Sequence, residues 1–126
     1  TNACANSIAQ KAAIAALDGP QDCVESMVKE YRRRRDLMVD RLKEMKAFSV
    51  TKPTGAFYVY PRILLDVESP DFVKQLLEKA KVSVMPGTTF SMKGEKYLRV
   101  SYANSMENIS EAMDRVERVV SQLMKP

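Results

Sequence analysis

One arginine set into a strand-like run is the residue of this chain best placed to do chemistry. Tyr97-Leu98-Arg99-Val100-Ser101-Tyr102-Ala103 is aromatic and aliphatic around Arg99. A cation there must face water, pair with an acid or meet an anionic ligand. Its guanidinium offers a planar donor fork that matches a carboxylate bidentately, which lysine cannot do. By residue type alone, a solvated strand face shared with Tyr97 and Ser101 is the simpler reading. Phe57, in the aromatic run Gly55-Ala56-Phe57-Tyr58-Val59-Tyr60, reads by type as a sheet-core residue. Phe90 reads as a packing anchor after the Pro86-Gly87 turn, and Gly87 as a backbone turn residue.

Other chemistry is scarce. The sequence has no histidine, so the commonest general base and metal ligand are missing. No cysteine or carboxylate cluster has zinc or calcium spacing, and no metal is expected. Cys4 and Cys23 fit reduced thiols of a cytoplasmic protein better than a disulfide framework. The methionines are spread along the chain as core filler.

Two patterns invite a nucleic-acid reading. The run Arg32-Arg33-Arg34-Arg35 lies in a helical segment, where successive residues step around the axis and fan out instead of forming one patch. Asp36 and Asp40 dilute the charge, so a solvated helix surface is expected. The Gly55–Tyr60 run faintly resembles the aromatic strand of an RNA-recognition motif. Thr54 stands where a basic residue belongs, and no companion aromatic strand precedes it. No nucleic-acid partner is expected. A stand-alone α+β module for an anionic partner, RNA or protein, is the alternative function.

The elements that must position these residues follow from periodicity. Ser7 to Leu17 predicts an Ala-rich helix, ended by Gly19 in a left-handed C′ position and by Pro20. Asp22 caps a second helix to about Lys46, with Val24, Met27, Val28, Tyr31, Met38, Leu42 and Met45 as one apolar stripe. Phe48 to Val50 predicts a short strand, Pro53-Thr54-Gly55 a turn, and Ala56 to Tyr60 a strong strand closed by Pro61. Ser69 caps the next helix, with Pro70 at its first position and Phe72, Val73, Leu76, Leu77 and Ala80 buried. Val82 to Met85 and Tyr97 to Tyr102 are further strands. Ser105 caps a last helix with Ile109, Ala112, Met113, Val116, Val120 and Leu123 on one face. The order ααβαββα predicts an α+β domain, a three-stranded, mainly antiparallel sheet covered by helices.

Several segments, in order, resemble class I pyridoxal-phosphate aminotransferases of the aspartate aminotransferase group. They are Ala16-Leu17-Asp18-Gly19-Pro20-Gln21-Asp22, then Tyr31 with Arg34-Arg35-Asp36, Pro53-Thr54-Gly55-Ala56-Phe57-Tyr58, Pro86-Gly87-Thr88-Thr89-Phe90, Gly94-Glu95 and Tyr97–Ala103. The resemblance implies that residues 1–126 are the C-terminal small domain of such an enzyme. It implies that Arg99 grips the substrate α-carboxylate and that Phe57 packs beside the amino acid. It also implies pyridoxal 5'-phosphate as cofactor, amino-acid and 2-oxo-acid substrates, a large domain as partner and a homodimer. No lysine here has the Ser-x-Ser-Lys context of the family's cofactor lysine, so no catalytic or cofactor-binding residue is expected in this chain.

Composition agrees with that scale. The 126 residues suit one domain, and 45% hydrophobic content can fill a core. The start at Thr1, without initiator Met or a signal-peptide layout, suggests a piece of a longer protein. No run is long enough to cross a membrane, and a net charge of +4 with interspersed signs fits an ordinary surface.

Overall fold

A computed structural model describes residues 4–124. The packing divides the chain into two units, Thr1–Glu30 and Tyr31–Pro126. The first contains helix α1 (Ser7–Asp18) and the start of helix α2 (Asp22–Glu44). Asn6 caps α1, its Oδ1 accepting from the Ala9 N–H at 2.8 Å. Gly19 ends α1 with φ −77° and ψ 175°, so the stop is extended, not left-handed. The Gln21 amide secures it by donating to Ala16 O at 3.0 Å and Gly19 O at 2.9 Å. The α2 helix starts against Gln21 O, which accepts from the Val24 and Glu25 N–H groups. Asp22 and Glu25 therefore act as first-turn acids at the positive helix end, and Asp22 is not the cap. Nothing in α1 is buried, and Val24, Met27 and Val28 are exposed. The apolar stripe expected along all of α2 is buried only in the second unit.

In that unit, strands β1 (Phe48–Ser49), β2 (Tyr58–Val59) and β3 (Arg62–Ile63) precede helix α3 (Ser69–Gln75). A π turn (Leu76–Ala80), strands β4 (Met85–Pro86) and β5 (Leu98–Ser101), and helix α4 (Met106–Leu123) follow. The domain is α+β, as expected, and its three-stranded sheet is antiparallel with order β2-β5-β4. The sequence reading missed β3, which pairs with β1 in a second, two-stranded sheet. Pro61 closes β2 but is itself buried, and the chain runs straight on into β3. Its carbonyl accepts from Leu98 N–H at 3.0 Å and the Ile63 N–H donates to Lys96 O at 2.6 Å, seating β3 beside the start of β5.

Helices α2 and α4 cover the core. Met38, Val39, Leu42, Ile109, Met113, Val116, Val119 and Val120 pack with Phe48, Val59, Ile63, Phe72, Leu98 and Val100. Phe48 meets Phe72 edge to face at 5.9 Å. Outside the core, Arg41 ties α2 to α4 through Asp114 at 2.7 Å and Glu117 at 3.0 Å, pairs that raise its pKa. Ser105 caps α4, its Oγ accepting from Asn108 N–H at 3.2 Å.

Two helix details differ from expectation. Ser69 lies inside α3 and is buried, Glu68 taking the cap position. The π turn leaves Leu76 and Ala80 buried but turns Leu77 to the surface. It closes on Lys81, whose φ of 56° is left-handed.

Candidate functional site

Strand alternation builds the site. In β5, Leu98 and Val100 point into the core, while Arg99 and Ser101 take the other face. Across the ladder Met85 opposes Arg99, Tyr58 opposes Ser101 and Val59 opposes Val100. Tyr58 is therefore the diagonal neighbour of Arg99 on the outer face. The half-buried Arg99 guanidinium lies 5.1 Å from the Tyr58 ring centroid and 4.1 Å from that of Phe90. No carboxylate pairs with it among the described residues. The guanidinium carbon lies over both rings, and cation–π attraction of this kind neither cancels the charge nor takes up the N–H donors in ion pairs, so they are left for another acceptor.

Phe57 is 50% exposed, so it is a surface aromatic and not a sheet-core one. It meets Tyr58 edge to face at 5.4 Å, extending the aromatic surface beside Arg99. Its position follows from Ala56, whose φ of 62° is left-handed and delays the strand expected from Ala56 until Tyr58. The buried Tyr102 holds that bend, its Oη donating to Ala56 O at 3.0 Å and its N–H to Phe57 O at 2.8 Å. Burial raises the Tyr102 pKa, which keeps this donor protonated.

Phe90 is 46% exposed and lies on the loop between β4 and β5, so it supports a guanidinium instead of anchoring the core. The base of that loop is a backbone contact. A Cβ on Gly87 would lie 2.7 Å from Tyr60 Oη and 2.8 Å from Tyr97 Cβ, and one on Gly94 would meet the Gly87 carbonyl. Gly87 thus serves close approach, not a positive-φ turn. Tyr60 stacks on Tyr97 at 5.2 Å and its Oη donates to Gly87 O at 3.3 Å. Ser69 Oγ donates to Gly94 O at 3.1 Å and Ser69 N–H to Glu95 O at 2.6 Å.

The arginine run behaves less simply than a solvated surface. Arg35 is partly buried, bonds Asp36 at 2.9 Å and donates to Pro53 O at 3.2 Å. Lys52 also reaches Asp36, at 2.8 Å, and the Lys52 and Arg35 bonds hold the Asp36 carboxyl below its ordinary pKa. These contacts fasten the segment before β2 to α2.

Sequence reasoning singled out Arg99 but not the two rings that the structure sets against it. The signal for Tyr58 was register: same-face alternation on antiparallel neighbours brings it to Arg99. Phe90 carried no such signal, because its place depends on the Gly87–Gly94 contact. An open cleft of about 430 Å³ elsewhere, between the end of β5 and α4, includes Val84, Asn104, Asn108 and Met113 but not Arg99. Among the described residues no group of three potential metal ligands converges and no helix is long and apolar enough to cross a membrane.

The family described as aminotransferase class I and II matches residues 1–116. An aspartate aminotransferase of Pyrococcus horikoshii is 47% identical over 117 residues, covering 90% of this chain and 30% of the relative. An aromatic-amino-acid aminotransferase 2 of Thermococcus litoralis is 46% identical over 100 residues, covering 79% of this chain and 25% of the relative. An alanine aminotransferase structure from Pyrococcus furiosus superimposes with a TM-score of 0.90 at 37% identity, covering 94% of this chain and 31% of that one. The chain thus spans about 30% of the length of the aspartate aminotransferase it matches. A family match over residues 1–116, most of the chain, establishes that the chain belongs to the class I and II aminotransferases.

Proposed function

We propose that this chain is the C-terminal small domain of a pyridoxal-phosphate-dependent aminotransferase and that Arg99 binds the substrate α-carboxylate. The protein as a whole moves an amino group between an amino acid and a 2-oxo acid. The observation that carries the reading is the Arg99 guanidinium, held against two rings with no acidic partner among the described residues. A carboxylate meeting its donor edge forms two charge-assisted bonds and fixes the amino acid in one orientation. Phe57, exposed beside Tyr58, forms the neighbouring wall against the amino acid.

The cofactor site is assigned outside this chain, because none of its lysines stands in the Ser-x-Ser-Lys context of the family's cofactor lysine. Covalent attachment and phosphate contacts are therefore assigned to the large domain, and the isolated chain is inactive. When bound there, the cofactor supplies the carbonyl that accepts the amino group. The exposed Ile8, Ile14, Leu17 and Met27 of the first unit suit docking by that domain, and the working protein is a cytoplasmic homodimer.

Aspartate is the preferred substrate in this reading. Arg99 reads only the carboxylate common to all amino acids, so aromatic amino acids, alanine and kynurenine stay as alternatives. Relatives named for aspartate, aromatic amino acids and alanine share this domain. The test is the full-length protein with pyridoxal phosphate, given L-aspartate alone. Stoichiometric release of the 2-oxo acid supports the reading. Release from another amino acid but not aspartate corrects the substrate, and release from none rejects aminotransfer.

A further inference from the structure

We propose that Phe90 is a positioning residue for Arg99, orienting and holding the guanidinium so that it meets a carboxylate edge-on. The inference rests on the reading of Arg99 as the carboxylate site and deepens it.

Phe90 is an aromatic whose place is otherwise poorly explained. It is 46% exposed and contributes nothing to the buried core. Yet the loop that carries it is fixed at its base with unusual economy. The Gly87 N–H donates to Tyr97 O at 2.7 Å and the Phe90 N–H to Gly87 O at 3.0 Å. The Gly87 and Gly94 backbones touch, and the buried Ser69 bonds Gly94 O. This fixed loop delivers one side chain to Arg99, with the ring centroid 4.1 Å from the guanidinium carbon, closer than Tyr58 at 5.1 Å.

The kind of contact decides the consequence. An acidic neighbour would hold Arg99 equally well but would occupy its donors and cancel its charge. A ring attracts the cation through its π face and supplies no carboxylate to occupy the donors. Arg99 is thereby oriented, charged and unspent, as a residue must be if its donors are to go to substrate. Removing the ring leaves the charge in place but frees the side chain, so carboxylate binding weakens without a direct effect on the reacting atoms.

The experiment uses the full-length holoenzyme with L-aspartate, L-alanine and L-phenylalanine as parallel probes. Phe90→Leu raises the KM of each probe that turns over by about 3- to 20-fold while kcat stays within about 3-fold. Phe90→Tyr, which keeps a ring, stays within about 2-fold of the parent. In an Arg99→Lys background the effect of Phe90→Leu falls below about 2-fold, because the planar group it orients is gone. An unchanged KM in Phe90→Leu overturns the proposal. So does an equal effect in both backgrounds, or a lowered urea midpoint without a KM change, since either makes Phe90 a packing residue. If Arg99→Lys and Arg99→Ala leave every KM unchanged, the carboxylate reading itself fails. If they raise KM and Phe90→Leu does not, only the role of Phe90 fails.

Discussion

At the scale of single residues, the site depends on donors that the fold leaves unspent. On the proposed carboxylate reading, Arg99→Ala in the full-length protein removes a charge-assisted bidentate pair, for which a loss on the order of 3 kcal/mol is expected. Steady-state kinetics will show this as a fall of about 100-fold in kcat/KM shared by all amino-acid substrates. Unchanged kcat/KM would refute the assignment. The loop beneath offers a second test. Gly94→Ala places a methyl group into the Gly87 backbone, where no flexible side chain can yield. Overpacking of that kind costs on the order of 2 kcal/mol. Urea unfolding of the isolated chain should show it, and an unshifted midpoint would mean that the loop relaxes freely. Arg99 was legible in the sequence because a charge in an apolar strand is conspicuous. Phe90 and Gly94 were not, since their roles arise from a contact between two backbone stretches that no local pattern encodes.

At the scale of elements, local strain and local charge set the boundaries. The π turn ends on Lys81 in a left-handed conformation, which a residue with a Cβ adopts at a cost of roughly 1 kcal/mol. Lys81→Gly should therefore raise the unfolding free energy by about that amount, seen as a higher urea midpoint, whereas glycine inside a helix destabilises it. Asp36 makes a prediction about pH. Its bonds to Lys52 and Arg35 lower its folded pKa below the ordinary 3.8. A depressed carboxylate pKa contributes stability that is full above the unfolded value and lost as pH falls through the folded one. The stability gap between the parent and Asp36→Asn should be largest near pH 6 and close below about pH 4. A constant gap would show that the contact is not ionic. Helices α1 and α2 were legible from composition and periodicity, α4 also from its Ser105 cap, and β5 from composition. The other strands were harder because they are two residues long, so pairing and not pattern decides them. The strand expected from Ala56 starts late because that residue is left-handed, and β3 was hidden behind Pro61.

At the scale of the whole molecule, the two units differ in what supports them. The second has a contiguous core that draws on α2, α3, α4 and strands β1, β2, β3 and β5. The first has a helix of 12 residues with no buried side chain. Isolated helices of that length are marginal in water, and their stability in proteins comes from an apolar face covered by something else. The apolar residues are present, Ile8, Ile14, Leu17 and Met27 among them, but all are exposed. In the isolated chain, hydrogen exchange should therefore be at least about 100-fold faster at the Ser7–Asp18 amides than at the buried turns of α4. In the full-length protein the α1 amides should become protected, because the proposed large domain covers them. A hydrophobic dye that binds the isolated chain should lose its signal in the full-length protein for the same reason. Equal protection of α1 and α4 in the isolated chain would mean that this surface needs no partner, and the docking role assigned to the first unit would fall while the carboxylate role of Arg99 would stand.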